Sequence, residues 1–251
     1  MTAARKMHSA GRAGFTLVEV LIAVTLVSLL SVGMMMAFRV ALSAMNKADT
    51  KLMLNRRTMG AQRILEQQVT GIMPVTADCY PNPEIPPTRI AFFQGEPQSM
   101  RFASTYSLHE AARGTPMILE FQVIPGEDGS GVRLIVNERI YSGPRSAGAS
   151  CLGLVPEPTA GGMVPRFAPI DAGSASFVLA DKLSACQFSF RDPVPPDKPP
   201  HWVARWTRAY LPDAIRIEMA PLVADGSRLQ PLTLTIPVHV TRLPLEQYQN
   251  E

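Results

Sequence analysis

At 251 residues the chain has room for one anchor and one domain of ordinary size, and its 46% apolar content is ample for a real core. The formal net charge of +3 is concentrated at the start, where residues 1–14 hold Arg5, Lys6 and Arg12 and no acid. Setting those three aside from the 24 basic residues leaves 21 against 21 acidic ones; this neutral remainder lacks the footprint nucleic-acid binding needs, so nucleic acid is excluded as a partner.

Residues 15–38 read FTLVEVLIAVTLVSLLSVGMMMAF, with one charge, Glu19, and no proline. A helix rising about 1.5 Å per residue carries this run roughly 36 Å, enough to cross a hydrocarbon core of about 30 Å. A cleaved secretory signal has a shorter apolar stretch followed by a small-residue cleavage site. Here the helical pattern continues well past the span, which predicts a permanent, single-pass anchor in membrane lipid. Orientation stays open on charge alone: Arg39, Lys47, Lys51, Arg56 and Arg57 follow the span, opposed only by Asp49, and nearly balance the basic leader.

Residues 39–73 are expected to form the amphipathic half of the same helix. Met45, Leu52 and Met59 recur at seven, and Leu42, Ala48, Leu65, Val69 and Ile72 fall near the same side. Lys47, Lys51, Arg56, Arg63 and Gln67 occupy the remaining surface. Gly71 loosens the last turn and Pro74 is the natural stop, giving a helix from Phe15 to about Ile72 roughly 85 Å long. Its Met/Leu stripe is expected to pack on the domain that follows.

From residue 74 to 251 the period changes to two, and most of the 23 prolines lie here. Candidate strands are 89–93, 100–105, 117–124, 132–141, 177–180, 185–191, 201–206, 214–219 and 232–241. The run Gly126-Glu127-Asp128-Gly129-Ser130-Gly131 reads as a hairpin connection between two strong strands. Proline-rich stretches at 81–87 and 193–200 and the Gly/Ser/Ala segment 143–162 read as surface loops. One long helix followed by such strands predicts an α+β domain, an antiparallel sheet packed on the helix. Cys79, Cys151 and Cys186 have no ligand-like spacing; in an exported domain one pair can form a disulfide and leave a free thiol, or all three are small core hydrophobes.

The run Gly14-Phe15-Thr16-Leu17-Val18-Glu19 resembles the processing site of type IV prepilins and type II secretion pseudopilins. Basic leader, glycine, phenylalanine and a glutamate at the fifth residue after the cut are all in register. The resemblance implies cleavage after Gly14 by a prepilin peptidase on the cytoplasmic face, N-methylation of the new terminal Phe15, and a pilin-like fold whose domain lies in the periplasm beyond the bacterial inner membrane. It also implies a role for Glu19. A carboxylate one turn into a span costs up to roughly 2.5–3.5 kcal/mol at a helix centre and less near an end. In the family it meets the terminal amine of a neighbouring subunit and sets the filament register; the alternative is a carboxylate snorkelling to the interface. Many filament-forming members carry a proline in the apolar half, whereas here Gly33 is the weak point.

A second resemblance lies in residues 183–219. An aromatic strand, Cys186-Gln187-Phe188-Ser189-Phe190, leads through Trp202 and Trp206 to Leu211-Pro212-Asp213-Ala214-Ile215-Arg216. This is similar to the J-type minor pseudopilin of type II secretion. The resemblance implies as partners the I- and K-type minor pseudopilins, the major pseudopilin and the inner-membrane assembly platform. Read from the residues, Pro212 opens a strand, Ala214, Ile215, Ile217 and Met219 are its apolar members, and Trp202 and Trp206 are packing residues. The retained Glu19 argues against the K-type. A minor pilin of a type IV pilus shares cleavage, anchor and helix and stays an open alternative.

An anchored enzyme is the rival from another class. His8, His109, His201 and His239 are scattered, no HExxH, P-loop or GxSxG occurs, and Asp181, Asp192 and Asp197 form no calcium-loop pattern. The expectation is therefore a non-enzymatic chain with no cofactor and no metal.

Overall fold

The computed structural model describes residues 14–80, 85–127, 129–157, 162–193, 199–222 and 231–240, with backbone alone over 50–58. Its first element is a single helix, α1 (Leu17–Thr70), and contacts divide the chain inside it, into Met1–Leu52 and Met53–Glu251.

In the first unit every described side chain from Gly14 to Asp49 is exposed, and the stretch Leu17–Asp49 reaches a mean hydropathy of 2.4. Exposed leucine, valine and methionine on all sides of a helix suit lipid or other apolar helices better than water. Its hydroxyls fit the same setting. Those of Thr25, Ser28, Ser31 and Ser43 donate to the carbonyls of Ile22, Val24, Val27 and Val40 at 2.8–2.9 Å, so none is left seeking water.

In the second unit α1 buries Ala61, Leu65 and Val69, spaced by four and therefore on one face. Of the expected stripe, Leu65, Val69 and Ile72 are buried, whereas Leu42, Met45 and Met59 are exposed; among the described helix residues burial begins at Ala61. Leu52, Lys51 and Arg56 have side chains outside the described set. The helix also ends earlier than Pro74 suggests. The Thr70 hydroxyl turns back to the Glu66 carbonyl at 2.6 Å, and a side chain at Gly71 would run into the Ser104 hydroxyl 2.6 Å away. Ser104 already donates to the Gln68 carbonyl, so the chain leaves the helix at Gly71 and enters strand β1 (Ile72–Met73) directly.

The main sheet is antiparallel, in the order β1, β5 (Ser99–Ser107), β6 (Ala112–Pro125), β7 (Val132–Ile140), β10 (Phe177–Asp192), β12 (Ala214–Pro221), β13 (Leu232–Pro237). β4 (Phe93–Glu96) pairs with β5, and β11 (His201–Val203) with β10. The β6–β7 connection is the expected hairpin; Gly129 and Gly131 supply its positive φ of 69° and 68°. Strand β10 replaces the two strands expected at 177–180 and 185–191. It pairs first with β7 and then with β12, changing partner at Leu183, where Lys182 at φ 56° and register shifts absorb the switch. Strands expected to reach 206 and 241 are shorter, ending at Val203 and Pro237; 241 lies outside the described residues.

One face of the sheet packs Phe102, Phe121, Phe188, Phe190 and Ile215 with Leu65 and Val69 of α1. The opposite face, over β5 and β6, packs Ala103 and Ile118 against Val75, Phe92, Ala147 and Phe167. This second core is roofed by a hairpin of β2 (Thr76–Cys79) and β3 (Thr88–Ala91), the turn α2 (Pro144–Gly148), and a hairpin of β8 (Cys151–Glu157) and β9 (Gly162–Phe167). The segment 143–162 is therefore not the surface loop its composition predicts: it supplies α2 and most of the β8–β9 hairpin. Of the other two expected loops, 81–84 and 194–198 lie outside the described residues.

The roof is fastened by covalent and polar joints. Cys79 and Cys151 form a disulfide with Cα atoms 5.4 Å apart. Arg101, buried with its guanidinium 5.4 Å from the Phe167 ring centre, donates to Glu120 (2.7 Å), Gln94 (2.6 Å) and the Ala168 carbonyl (3.1 Å). Arg139 reaches the Ser146 carbonyl at 2.7 Å. Of the two readings open for the cysteines, the structure shows one pair and one buried thiol; burial pushes Cys186 up to about 12, so it stays protonated and unreactive. Closing a loop over 72 residues restrains the unfolded chain by about 4 kcal/mol in the loop-entropy description. Cys79→Ser is expected to lose about that much in denaturant unfolding; a loss below about 1 kcal/mol would contradict a stapling role.

Candidate functional site

Two groups of residues were singled out from sequence, and they lie in different units. At the amino terminus Gly14 is exposed, with nothing within 4 Å of where a Cβ would stand, and Phe15 is 83% exposed. Thr16 is the N-cap of α1: its carbonyl accepts from the Val20 N–H at 3.2 Å, and its hydroxyl accepts from the Glu19 N–H at 3.2 Å. Glu19 sits in the first turn, where the partial positive charge of the helix end favours a carboxylate. It forms no ion pair among the described residues, so its charge is free to meet a cation from elsewhere. Thr16 was missed in reading the sequence. The signal was present, because Thr16 and Glu19 have the Ser/Thr-x-x-Glu spacing of a capping box.

The residues at 202–216 build a packing constellation at the end of β10. Trp206 is 6% exposed; its indole N–H donates to the Tyr210 carbonyl at 2.6 Å and its backbone N–H to the Gly95 carbonyl at 2.8 Å. Gly95 is required there, because a Cβ would lie 2.7 Å from the Phe190 ring and 2.9 Å from the Trp206 side chain. Leu211, Pro212 and Ala214 are buried and lead into β12. The intervening Asp213 accepts from Arg191 at 2.6 Å, holding the strand start to β10. Trp202, on β11, is half-buried, with the Arg216 guanidinium 3.8 Å and that of Arg191 5.9 Å from its ring centre. A tryptophan face is a good partner for a guanidinium.

Asp192 completes this region. Burial pushes its carboxyl up, but hydrogen bonds from Arg208 (2.8 Å) and Tyr210 (2.9 Å), with the charges of Arg208 and His201, hold it below the usual range. Its contribution to stability is thus present above the ordinary carboxylate range and is lost as pH falls through the depressed value. These bonds fasten residues 199–213 to β10. His201 is exposed and 3.9 Å from Asp192, at the end of this network. Among the described residues no group of three or more His, Cys, Asp or Glu converges as metal ligands.

Residues 9–35 match the family model of the prokaryotic N-terminal methylation motif. The match takes in Gly14, Phe15, Thr16 and Glu19 together with all but the last three residues of the apolar run 15–38. The chain thus has a type IV prepilin-like amino terminus on an α+β, pilin-like arrangement, a long apolar helix followed by an antiparallel sheet. The motif implies processing by a prepilin peptidase and pilus-like assembly, and the helix fits a membrane anchor. Among curated proteins none matches the chain significantly.

Proposed function

We propose that the chain is a minor pseudopilin of a type II secretion system, a non-enzymatic subunit that helps start the filament at its tip. The observation that carries this reading is the methylation motif on an exposed helix start, with Glu19 in no ion pair among the described residues. In this account the peptidase removes residues 1–14 and methylates Phe15. Residues 15–38 then hold the subunit in the bacterial inner membrane, residues 39–70 continue the helix, and the β-rich part from Gly71 onward lies in the periplasm. The disulfide supports that side of the membrane, because such bonds persist in oxidising compartments. Glu19 would pair with the terminal amine of a neighbouring subunit in a low-dielectric setting where each charge alone is costly.

The J-type assignment rests on the run Leu211-Pro212-Asp213-Ala214-Ile215-Arg216, which leads into β12, and on Trp202 and Trp206 nearby. With it come the I- and K-type subunits, the major pseudopilin and the assembly platform as partners. A minor pilin of a type IV pilus fits the same amino terminus and differs in those partners.

Glu19→Ala tests the assembly role. Glu19 is exposed and in no ion pair among the described residues, so the variant is expected to be cleaved normally and to unfold like the parent. Its entry into filaments is expected to fall at least about tenfold, or about 1.4 kcal/mol. Filament content equal to the parent, by crosslinking and secretion assays, would count against the pairing.

A further inference from the structure

We infer that Glu19 and Arg39 act together as a depth clamp, with Arg39 seated on phospholipid headgroup phosphates at the far surface of the membrane from the leader. This rests on α1 being a membrane span. The two residues are twenty positions apart on one continuous helix, about 30 Å at 1.5 Å per residue, which equals the hydrocarbon thickness of about 30 Å. Between them Val20–Phe38 carries no charge, and its hydroxyls are satisfied within the helix. Both charges are exposed and neither has an ionic partner among the described residues.

In the unprocessed, unassembled chain one position in the bilayer therefore places each charge at a headgroup layer. Moving the helix by one turn, about 5 Å, in either direction draws one charge into hydrocarbon. Phe15 and Thr16 then stand outside the hydrocarbon on the leader side, so the Gly14–Phe15 bond lies where water and a peptidase can reach it. Arg39 is what makes this position unique. Beyond it Val40–Asn46 is again uncharged, so without Arg39 the free run extends from Val20 to Asn46, about 40 Å and some 10 Å longer than the core. A helix with that surplus slides or tilts until residues past 39 enter lipid.

The test is labelling of single added cysteines in the full-length, unprocessed chain, in membranes without the peptidase and in phosphate-free buffer. Native cysteines are silent, since Cys79 and Cys151 are bonded to each other and Cys186 is buried. With an impermeant maleimide applied on the domain side, Ala44→Cys is expected to label and Val27→Cys to stay unlabelled. Adding Arg39→Leu is expected to reduce Ala44→Cys labelling to the level of the Val27→Cys control, and Arg39→Lys to restore it. Unchanged labelling in the Arg39→Leu chain overturns the clamp. Because no processing or assembly is needed, that failure is separable from failure of the pseudopilin reading, which appears instead as an uncut amino terminus in peptidase-containing cells.

Discussion

Gly14→Leu is expected to leave essentially all of the protein uncut. The bond to be broken joins an exposed glycine to an exposed phenylalanine just ahead of the helix cap, and nothing in the chain occupies the space beside the glycine Cα. A side chain there is therefore neutral for folding, and the peptidase is the component that must accommodate it. The variant should insert, fold and form its disulfide like the parent while migrating as the full-length chain. A mature-sized product from Gly14→Leu would contradict cleavage at this bond. Gly14→Ala, a smaller intrusion, should be slowed in the same direction.

Trp206→Ala should be the most damaging change to the folded domain, costing about 3–5 kcal/mol, the range for removing a large aromatic from a core. The loss has separable parts. The indole fills the space over Gly95 and packs at 5.6–6.5 Å from the rings of Tyr210 and Phe190. It also satisfies the Tyr210 carbonyl, which holds the segment leading to Leu211 and Pro212. In a domain of this size such a loss lowers the melting temperature by roughly 10 °C at 2–4 °C per kcal/mol. Trp206→Phe should recover part of it, since the ring returns without the N–H. A melting temperature within about 2 °C of the parent would show that the β10–β12 junction does not depend on this residue.

Where the sequence was legible, a strong local pattern was the reason. The apolar run after Phe15, charged only at Glu19, the period-two strands around the Gly126–Gly131 turn, and the Pro212 entry into β12 each announce their element without help from the rest of the chain. The misses arise where tertiary context decides. Met45 and Met59 sit at heptad spacing, yet periodicity alone does not say where along a helix the domain begins; Ala61, small and unremarkable in sequence, is the first buried helix residue among those described. Segment 143–162 is rich in glycine, serine and proline, which lowers its local strand preference. It becomes the β8–β9 hairpin because the disulfide and the second core, through Ala147 and Phe167, hold it there. Spacing likewise gives no way to choose Cys79 and Cys151 over Cys186; the choice follows from which cysteine points into the main core. At the amino terminus Gly14, Phe15 and Glu19 were readable as a motif. Thr16 was overlooked because the motif explained its neighbours, although the capping spacing was in plain view.

The central claim is that this chain is a processed, prepilin-like subunit, and the most direct test is the intact mass and amino-terminal sequence of the protein recovered from the membranes of its host. The account predicts a chain beginning at Phe15 and heavier by one methyl group. A chain still beginning at Met1 in the presence of the peptidase would contradict it, reduce residues 15–38 to an ordinary anchor, and reopen the function of the β-rich domain.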